Sequence, residues 1–383
     1  MHGHSDMSSA RSFDVLIVGA GIVGAACADE FARRGRRVAV IEADMAGGGA
    51  TAAGMGHIVT MDDSDAQFAL TRYSQQIWRG LRAELPREVE YEERGTIWVA
   101  ADEEEMQEVH RKYEYYSTRD VPVEVLSPSS LREFEPNLKQ GFLGGLLVHE
   151  DAVLYPPCAA QFLLEQAQSS GATFFCGQPV KTMGMGSAEL LDGTEFTGNI
   201  IVNATGAWAP ELTTGVDVMK RKGHLAITDR CPGFLRHQLV ELGYLKSAHQ
   251  LSSDSVAFNV QPRITGQILI GSSRQFGHEQ KEIDRTILAR MLQRAQEYMP
   301  GLGKMQILRT WTGFRAATTD KLPLIGPSMN DKSLFLATGH EGLGITTSLG
   351  TARLLVDYVS GARSAIPIEP YLPSRVEKEH AHA

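Results

Sequence analysis

The sequence predicts a mixed α/β and α+β protein, one unit wound around a parallel sheet and another built on a broad, mostly antiparallel sheet. Three observations carry this. The chain opens on a compact strand–turn–helix–strand pattern across residues 13–42. Strand-like and helix-like stretches then alternate to the C-terminus instead of falling into separate blocks. Residues 223–276 hold several strand-like segments in succession. With 383 residues, 43% of them hydrophobic and 22% charged, the composition is that of a globular chain able to bury a core unaided.

The elements follow in order. An apolar strand spans 13–18, a helix 22–34 ends at Gly35, and a second strand spans 37–42. A helical stretch at 64–85 leads to a strand at 95–100, and 102–116 has the charge density of a surface helix. Ser127 before Pro128 reads as an N-cap followed by proline at the first helical position, and Pro136 stops that short helix. A strand at 143–149, a helix at 157–169 capped by Gly171, and a strand at 172–176 come next. Asp192-Gly193 is a tight hairpin turn, and the apolar run 200–206 is a buried strand entering a turn. Strands at 255–260 and 267–272, an amphipathic helix at 282–298, a strand at 333–337 and a helix at 345–359 complete the pattern. The chain is thus expected to cross between two domains: 13–85, 145–215 and 311–365 in one, 86–144 and 216–310 in the other. Residues 1–12 and 374–383 are polar and read as flexible termini.

The opening turn, Gly19-Ala-Gly21-Ile22-Val23-Gly24, has a mechanical reading. Gly19 permits the tight turn, Gly21 lets the backbone approach a pyrophosphate, and Gly24 lets helix and strand pack closely. Amides at the helix start then hold the phosphates. Glu42 ends the second strand, eighteen residues after Gly24, where a carboxylate accepts both ribose hydroxyls and repels a 2′-phosphate. A second glycine-rich loop follows at 47–56 (GGGATAAGMG), more cover than a simple NAD domain needs and suited to the diphosphate and ring of FAD. Asn203-Ala204-Thr205-Gly206-Ala207-Trp208 resembles the strand-to-turn segment that lies over the nucleotide in FAD enzymes. Near the C-terminus, Gly339-His340-Glu341-Gly342-Leu343-Gly344-Ile345-Thr346 enters a helix whose positive end can stabilise a reduced flavin.

These motifs, with the block Gly313-Phe314-Arg315 through Pro327, resemble those of the FAD-dependent amino-acid and amine oxidoreductases related to D-amino-acid oxidase, glycine oxidase and sarcosine oxidase. The resemblance covers roughly residues 13–365 and implies a Rossmann-like FAD-binding domain with a mixed, mostly antiparallel β-sheet substrate domain. It implies cofactor contacts from Gly19, Gly21, Ile22, Val23, Gly24, Glu42, Ala43, Gly49, Ala50, Thr51, Gly54, Met55, Gly56, His57 and Val180. Further contacts are implied from Ala204, Thr205, Gly206, Trp208, Gly313, Arg315 and the loop 339–346. Two relatives hold flavin covalently, through a cysteine near the Arg315 block or a histidine in the second glycine loop. Residues 311–319 hold no Cys and 47–56 no His, so non-covalent FAD is expected.

Arg315 matches the arginine that pairs with the substrate carboxylate in glycine-oxidase-like members. Its planar guanidinium suits bidentate recognition; pairing with Asp320 or with a backbone carbonyl is the structural alternative. Phe258 and Asn259 match the region lining the substrate. Tyr244 and Arg274 are further pocket candidates, with core packing or a solvated surface position as the competing reading for each. The segments 222–229 and 271–277 look most like bacterial members that dehydrogenate D-hydroxyproline and related secondary amino acids. The resemblance therefore implies C–N oxidation of a small amino or secondary amino acid, cis-4-hydroxy-D-proline type favoured, with glycine, sarcosine or iminodiacetate as near alternatives. A 2-hydroxy-acid dehydrogenase and a non-catalytic flavoprotein subunit are rivals of another kind. Such members often pass electrons to a quinone, dye or partner subunit instead of oxygen.

Charge and cysteines bound the rest. Lys plus Arg number 37 against 46 Asp plus Glu, a net charge of −9 that argues against a nucleic-acid partner. The four cysteines are scattered without metal-ligand spacing and fit a reducing compartment, so a cytoplasmic location, or one peripheral at the inner membrane, is expected and no metal site is. Residues 15–28 imitate a signal peptide, but Asp14 and the spaced glycines fit a nucleotide turn better. No apolar run approaches the ~18 residues of a membrane span.

Overall fold

A computed structural model describes residues 11–243 and 254–376. The first sheet grows from the opening motif. Arg11–Val18 lies parallel to both Val38–Ile41 and Glu195–Asn203, and the path runs Leu324–Pro327, Leu334–Thr338, Glu195–Asn203, Arg11–Val18, Val38–Ile41, Thr173–Phe175. A hairpin, Val180–Gly184 with Ser187–Leu190, continues from Glu195–Asn203. The central strands are buried on both faces, Val15, Ile17, Val38 and Val40 on one and Leu16, Val18, Ala39 and Ile41 on the other, as a parallel sheet requires. Helices Ile22–Arg33, Pro156–Ser169 and Gly344–Ser360 share one apolar cluster with Val15, Ile17, Val38 and Val40 on one face. The small residues Ala25, Ala28, Ala159 and Ala160 let these helices approach closely.

The second sheet has the order Ile307–Ala317, Met219–Thr228, Ile268–Arg274, Ser255–Pro262, Gln238–Glu241, Thr96–Ala100, Gly144–Val148, Val123–Leu126. All its pairings are antiparallel except Gln238–Glu241 with Thr96–Ala100. Helix Arg285–Tyr298 covers one face, started by the Asp284 carboxylate, which accepts from Thr286 N and Ile287 N. Phe258 stacks on Tyr298 with ring centroids 4.3 Å apart, anchoring helix to sheet. The opposite face looks toward the first sheet.

Three expectations need correction. The boundaries at 145 and 311 fall inside strands of the second sheet, Gly144–Val148 and Ile307–Ala317. The latter pairs with Met219–Thr228 along nearly its whole length, and such a ladder is invisible to composition. The expected flexible terminus of 1–12 includes Arg11 and Ser12, which instead pair with Phe196 and Thr197. At the other end Arg375 is tied to Asp320 (2.6 Å), so 374–376 are anchored; the remainders of both termini lie outside the described residues.

Candidate active site

A cavity of about 540 Å³ lies where the first sheet's strand ends meet the exposed face of the second sheet. Its nucleotide end is built by the opening turn. Gly19 has φ +103°, and a Cβ there would fall 2.7 Å from the Ala204 carbonyl oxygen. A Cβ on Gly24 would fall 1.9 Å from the Gly19 carbonyl oxygen, so Gly24 packs helix on strand and does not line the cavity. Glu42 accepts from Ala20 N (2.7 Å) and Asp44 N (3.0 Å), which fixes its carboxylate at the cavity wall. Thr51 Oγ1 accepts from Ile22 N (3.0 Å) and joins the second glycine loop to the first. Asn203 accepts from Thr205 N and donates to Ala209 O, which sets the turn carrying Thr205, Gly206 and Trp208 past the cavity.

The other end is built by the second sheet. Arg315 lies on Ile307–Ala317 beside Gly223 of the neighbouring strand, and a Cβ on Gly223 would meet Arg315 Nη1 at 2.6 Å. Glycine at 223 therefore leaves the space in which the guanidinium lies. Arg315 Nη1 donates to the Ser273 carbonyl (3.0 Å). Ser273 is itself held by His224, whose Nδ1 lies 3.0 Å from Ser273 Oγ while its Nε2 accepts from Asp284 N (3.0 Å). The backbone N–H can only donate, so the imidazole proton sits on Nδ1. Desolvation, aided by the Lys222 and Arg315 charges, pushes the His224 pKa down to about 4 and keeps the ring neutral. Arg221, the cross-strand partner of Arg315, pairs with Glu341 at 2.8 Å.

Most expected cofactor contacts line this cavity: Gly19, Gly21, Ile22, Val23, Glu42, Ala43, Gly49, Ala50, Thr51, Gly54, Met55, Gly56, His57 and Val180 do. So do Ala204, Thr205, Gly206, Trp208, Gly313, Arg315, His340, Glu341, Gly342, Gly344 and Ile345. Gly339, Leu343 and Thr346 do not; Thr346 Oγ1 instead donates to His57 O (2.8 Å), tying the closing helix to the second glycine loop. Burial pushes His57 and His340 down to about 3, so both rings are neutral, and His340 Nε2 pairs with Thr351 Oγ1 (2.9 Å).

Of the pocket candidates, Asn259 and Arg315 reach the cavity. Phe258 does not: its side chain alternates to the other face of the strand and sits fully buried under helix Arg285–Tyr298. Arg274 is buried on the neighbouring strand but is not a lining residue, and Tyr244 lies outside the described residues. Asp320 takes Arg375, so that half of the structural alternative for Arg315 is not met; the other half, a backbone carbonyl, is met by the Ser273 carbonyl that accepts from Arg315 Nη1. Sequence reasoning missed Gly223, Leu225 and Ser272 in the lining, because only strand register brings them to Arg315 and Asn259, and it missed Lys281, which comes from the loop whose carbonyl at 281 accepts from Thr312 Oγ1.

The wall suits a long flavin dinucleotide. It is continuous from the glycine turn and Glu42 to Arg315, and glycines leave bare backbone where a phosphate would approach. Two helices, Ile22–Arg33 and Gly344–Ser360, bring first-turn residues to it. His57 Nε2 and Glu341 Oε2 are buried at its surface without a protein partner. Among the described residues no group of His, Cys, Asp or Glu is arranged to hold a metal, and no helix is long and apolar enough to cross a membrane.

Comparison with known proteins agrees. The family model for FAD dependent oxidoreductases matches residues 14–358. The chain is 28% identical over 378 residues to glycine oxidase of Geobacillus kaustophilus (strain HTA426), covering 95% of this chain and 97% of that protein. It is 27% identical over 436 residues to hydrogen cyanide synthase subunit HcnC of Pseudomonas aeruginosa, covering 97% and 98%. The crystal structure of glycine oxidase from Geobacillus kaustophilus superposes with a TM-score of 0.84 at 26% identity, covering 94% of this chain and 98% of that one. L-proline dehydrogenase from P. horikoshii shares the fold with a TM-score of 0.87 at 23% identity, covering 97% and 99%. The glycine turn, the Glu42 clamp and the two-sheet cavity are thus those of a flavoenzyme, and the chain belongs to the family of FAD-dependent oxidoreductases.

Proposed function

We propose that this chain oxidises the C–N bond of a small amino or secondary amino acid, with a cis-4-hydroxy-D-proline-type donor favoured and FAD held non-covalently. The observation that carries the reading is Arg315, a guanidinium brought to a cavity wall through the gap left by Gly223. A planar fork of N–H donors there recognises a carboxylate bidentately and fixes the adjacent carbon. When bound, FAD supplies the acceptor for the hydride that leaves that carbon. The substrate nitrogen gives up a proton to water, and the C–N single bond becomes C=N. Orientation is the protein's main contribution, and it is substantial, because a misplacement of about 1 Å costs about 100-fold in rate.

The His224–Ser273 pair positions the carbonyl that Arg315 grips, and the neutral imidazole adds no charge to compete for the carboxylate. Likeness to a protein named as a subunit, hydrogen cyanide synthase HcnC, supports electron delivery to a quinone, dye or partner subunit in preference to oxygen. Likeness to glycine oxidase favours a second reading, a glycine-type donor. Anaerobic reduction of the flavin across D- and L-amino acids, N-alkyl glycines and 2-hydroxy acids separates these. Bleaching by prolines bears out the first reading and bleaching by glycine or sarcosine the second. Bleaching by hydroxy acids alone defeats both.

A further inference from the structure

Two polar side chains of the cavity wall have no role in the mechanism above. Asn259 and Ser272 both line the cavity. They lie on adjacent strands, Asn259 paired with Gly271 and Ser272 following directly. They are 8% and 4% exposed, and Asn259 Oδ1 and Ser272 Oγ are buried with no hydrogen-bond partner in the protein. A buried polar atom left unpaired is costly, and such groups are retained where a ligand or ordered water completes them. Leu225 and Met55 pack beside this part of the wall. The charged residues lining this end of the cavity are Arg315, Lys281 and Glu341, the last partnered by Arg221.

We propose that Asn259 and Ser272 form a neutral polar subsite that recognises a hydroxyl group on the ring or side chain of the amino donor. The inference rests on the reading that Arg315 holds the donor's carboxylate in the same cavity. The chemistry selects the ligand class. A carboxamide and a hydroxyl each donate and accept, and a hydroxyl does the same. A carboxylate only accepts and is better served by Arg315, and an ammonium only donates and is better served by an anion. A donor without the hydroxyl leaves both side chains unpaired, so the subsite rejects it. Sites built to bond a substrate hydroxyl discriminate strongly against the analogue lacking it.

The test separates recognition from turnover by using two ring acids with no C–N bond to oxidise. These are cis-4-hydroxytetrahydrofuran-2-carboxylate and its parent tetrahydrofuran-2-carboxylate, titrated into the FAD-loaded protein with the flavin absorbance as readout. Wild type is expected to bind the hydroxylated acid at least tenfold more tightly. In Ser272→Ala and Asn259→Leu the loss should fall on the hydroxylated acid at least fivefold more than on the parent. Equal affinity in wild type, failure of both acids to bind, or a preference that survives both substitutions overturns the proposal. Altered FAD content or a shifted flavin spectrum in ligand-free Ser272→Ala also overturns it, since the groups would then serve the flavin. Ser272→Ala removes a single oxygen and keeps the test decisive should Asn259→Leu misfold. The carboxylate reading fails separately, if Arg315→Ala leaves the affinity of both acids unchanged.

Discussion

Replacing Gly223 by alanine should disable Arg315 without touching it. The added methyl would stand 2.6 Å from Arg315 Nη1 and 3.0 Å from both Cζ and Nη2. Ordinary contacts between such atoms begin near ~3.5 Å, so the guanidinium must retreat by about 1 Å. The obstructed group is the end of a flexible side chain, and the strand can keep its ladder with Ile307–Ala317. Arg315 would keep its charge and lose its aim, and a 1 Å misplacement of a positioning group costs about 100-fold in rate. The assay is kcat/KM for the best amino donor, with the FAD-to-protein ratio and Tm measured on the same preparation. A fall of ten- to hundredfold with unchanged FAD content and a Tm within a few degrees is expected. Wild-type kinetics in Gly223→Ala would refute the claim that the guanidinium's position matters, and loss of FAD would show that Gly223 serves the cofactor instead.

Arg315→Ala should raise the apparent Michaelis constant about tenfold to over a hundredfold, since a charge-assisted bond contributes ~1.5–3 kcal/mol and each ~1.4 kcal/mol is a factor of ten. Arg315→Lys should recover only part of this, because the ammonium lacks the fork; full recovery would show that charge alone suffices. Glu42→Arg removes the acceptor of Ala20 N and Asp44 N as well as the ribose partner, and FAD retention on gel filtration should fall steeply. Acid precipitation of wild type should leave yellow FAD in the supernatant, and flavin in the pellet would contradict non-covalent binding. The ring of His340 is held neutral by burial, with its pKa depressed to about 3 from 6.5. Its contribution to stability is present above pH 6.5 and is lost as the pH falls from there toward 3, because the unfolded chain takes up the proton first. Chemical denaturation of His340→Gln should therefore show a shallower fall in stability between pH 7 and 4.5 than wild type; parallel curves would count against it.

Much of the nucleotide half was legible in the chain because its signals are local. The glycine turn, the strand before it and Glu42 after it lie within about thirty residues, and each acts through backbone atoms close in sequence. The helix caps are local too: Ser127 Oγ accepts from Ser130 N (3.1 Å) at the start that Pro128 announces. Helix Arg285–Tyr298 begins three residues later than its amphipathic pattern suggests, because the Asp284 carboxylate and not the apolar period sets the start. The domain boundaries failed for the opposite reason. Whether a strand joins one sheet or the other depends on a partner far along the chain, as with Ile307–Ala317 and Met219–Thr228.

By itself, the sequence determined the fold class, the family, the nucleotide turn and the arginine to test, all of which depend on residue types at short, fixed spacings. Only the tertiary structure separated Phe258 from Asn259. They are neighbours on one strand, and period-two alternation sends the phenylalanine under Tyr298 and the asparagine to the cavity. Nothing in the local pattern says which face meets the first sheet. The same holds for Gly223 and Arg315, brought together by antiparallel register across more than ninety residues, and for Arg375, which takes Asp320 from beyond the last predicted element. A binding wall made from several strands is a property of their register, and register is fixed by the sum of long-range pairings and not by any one stretch of chain.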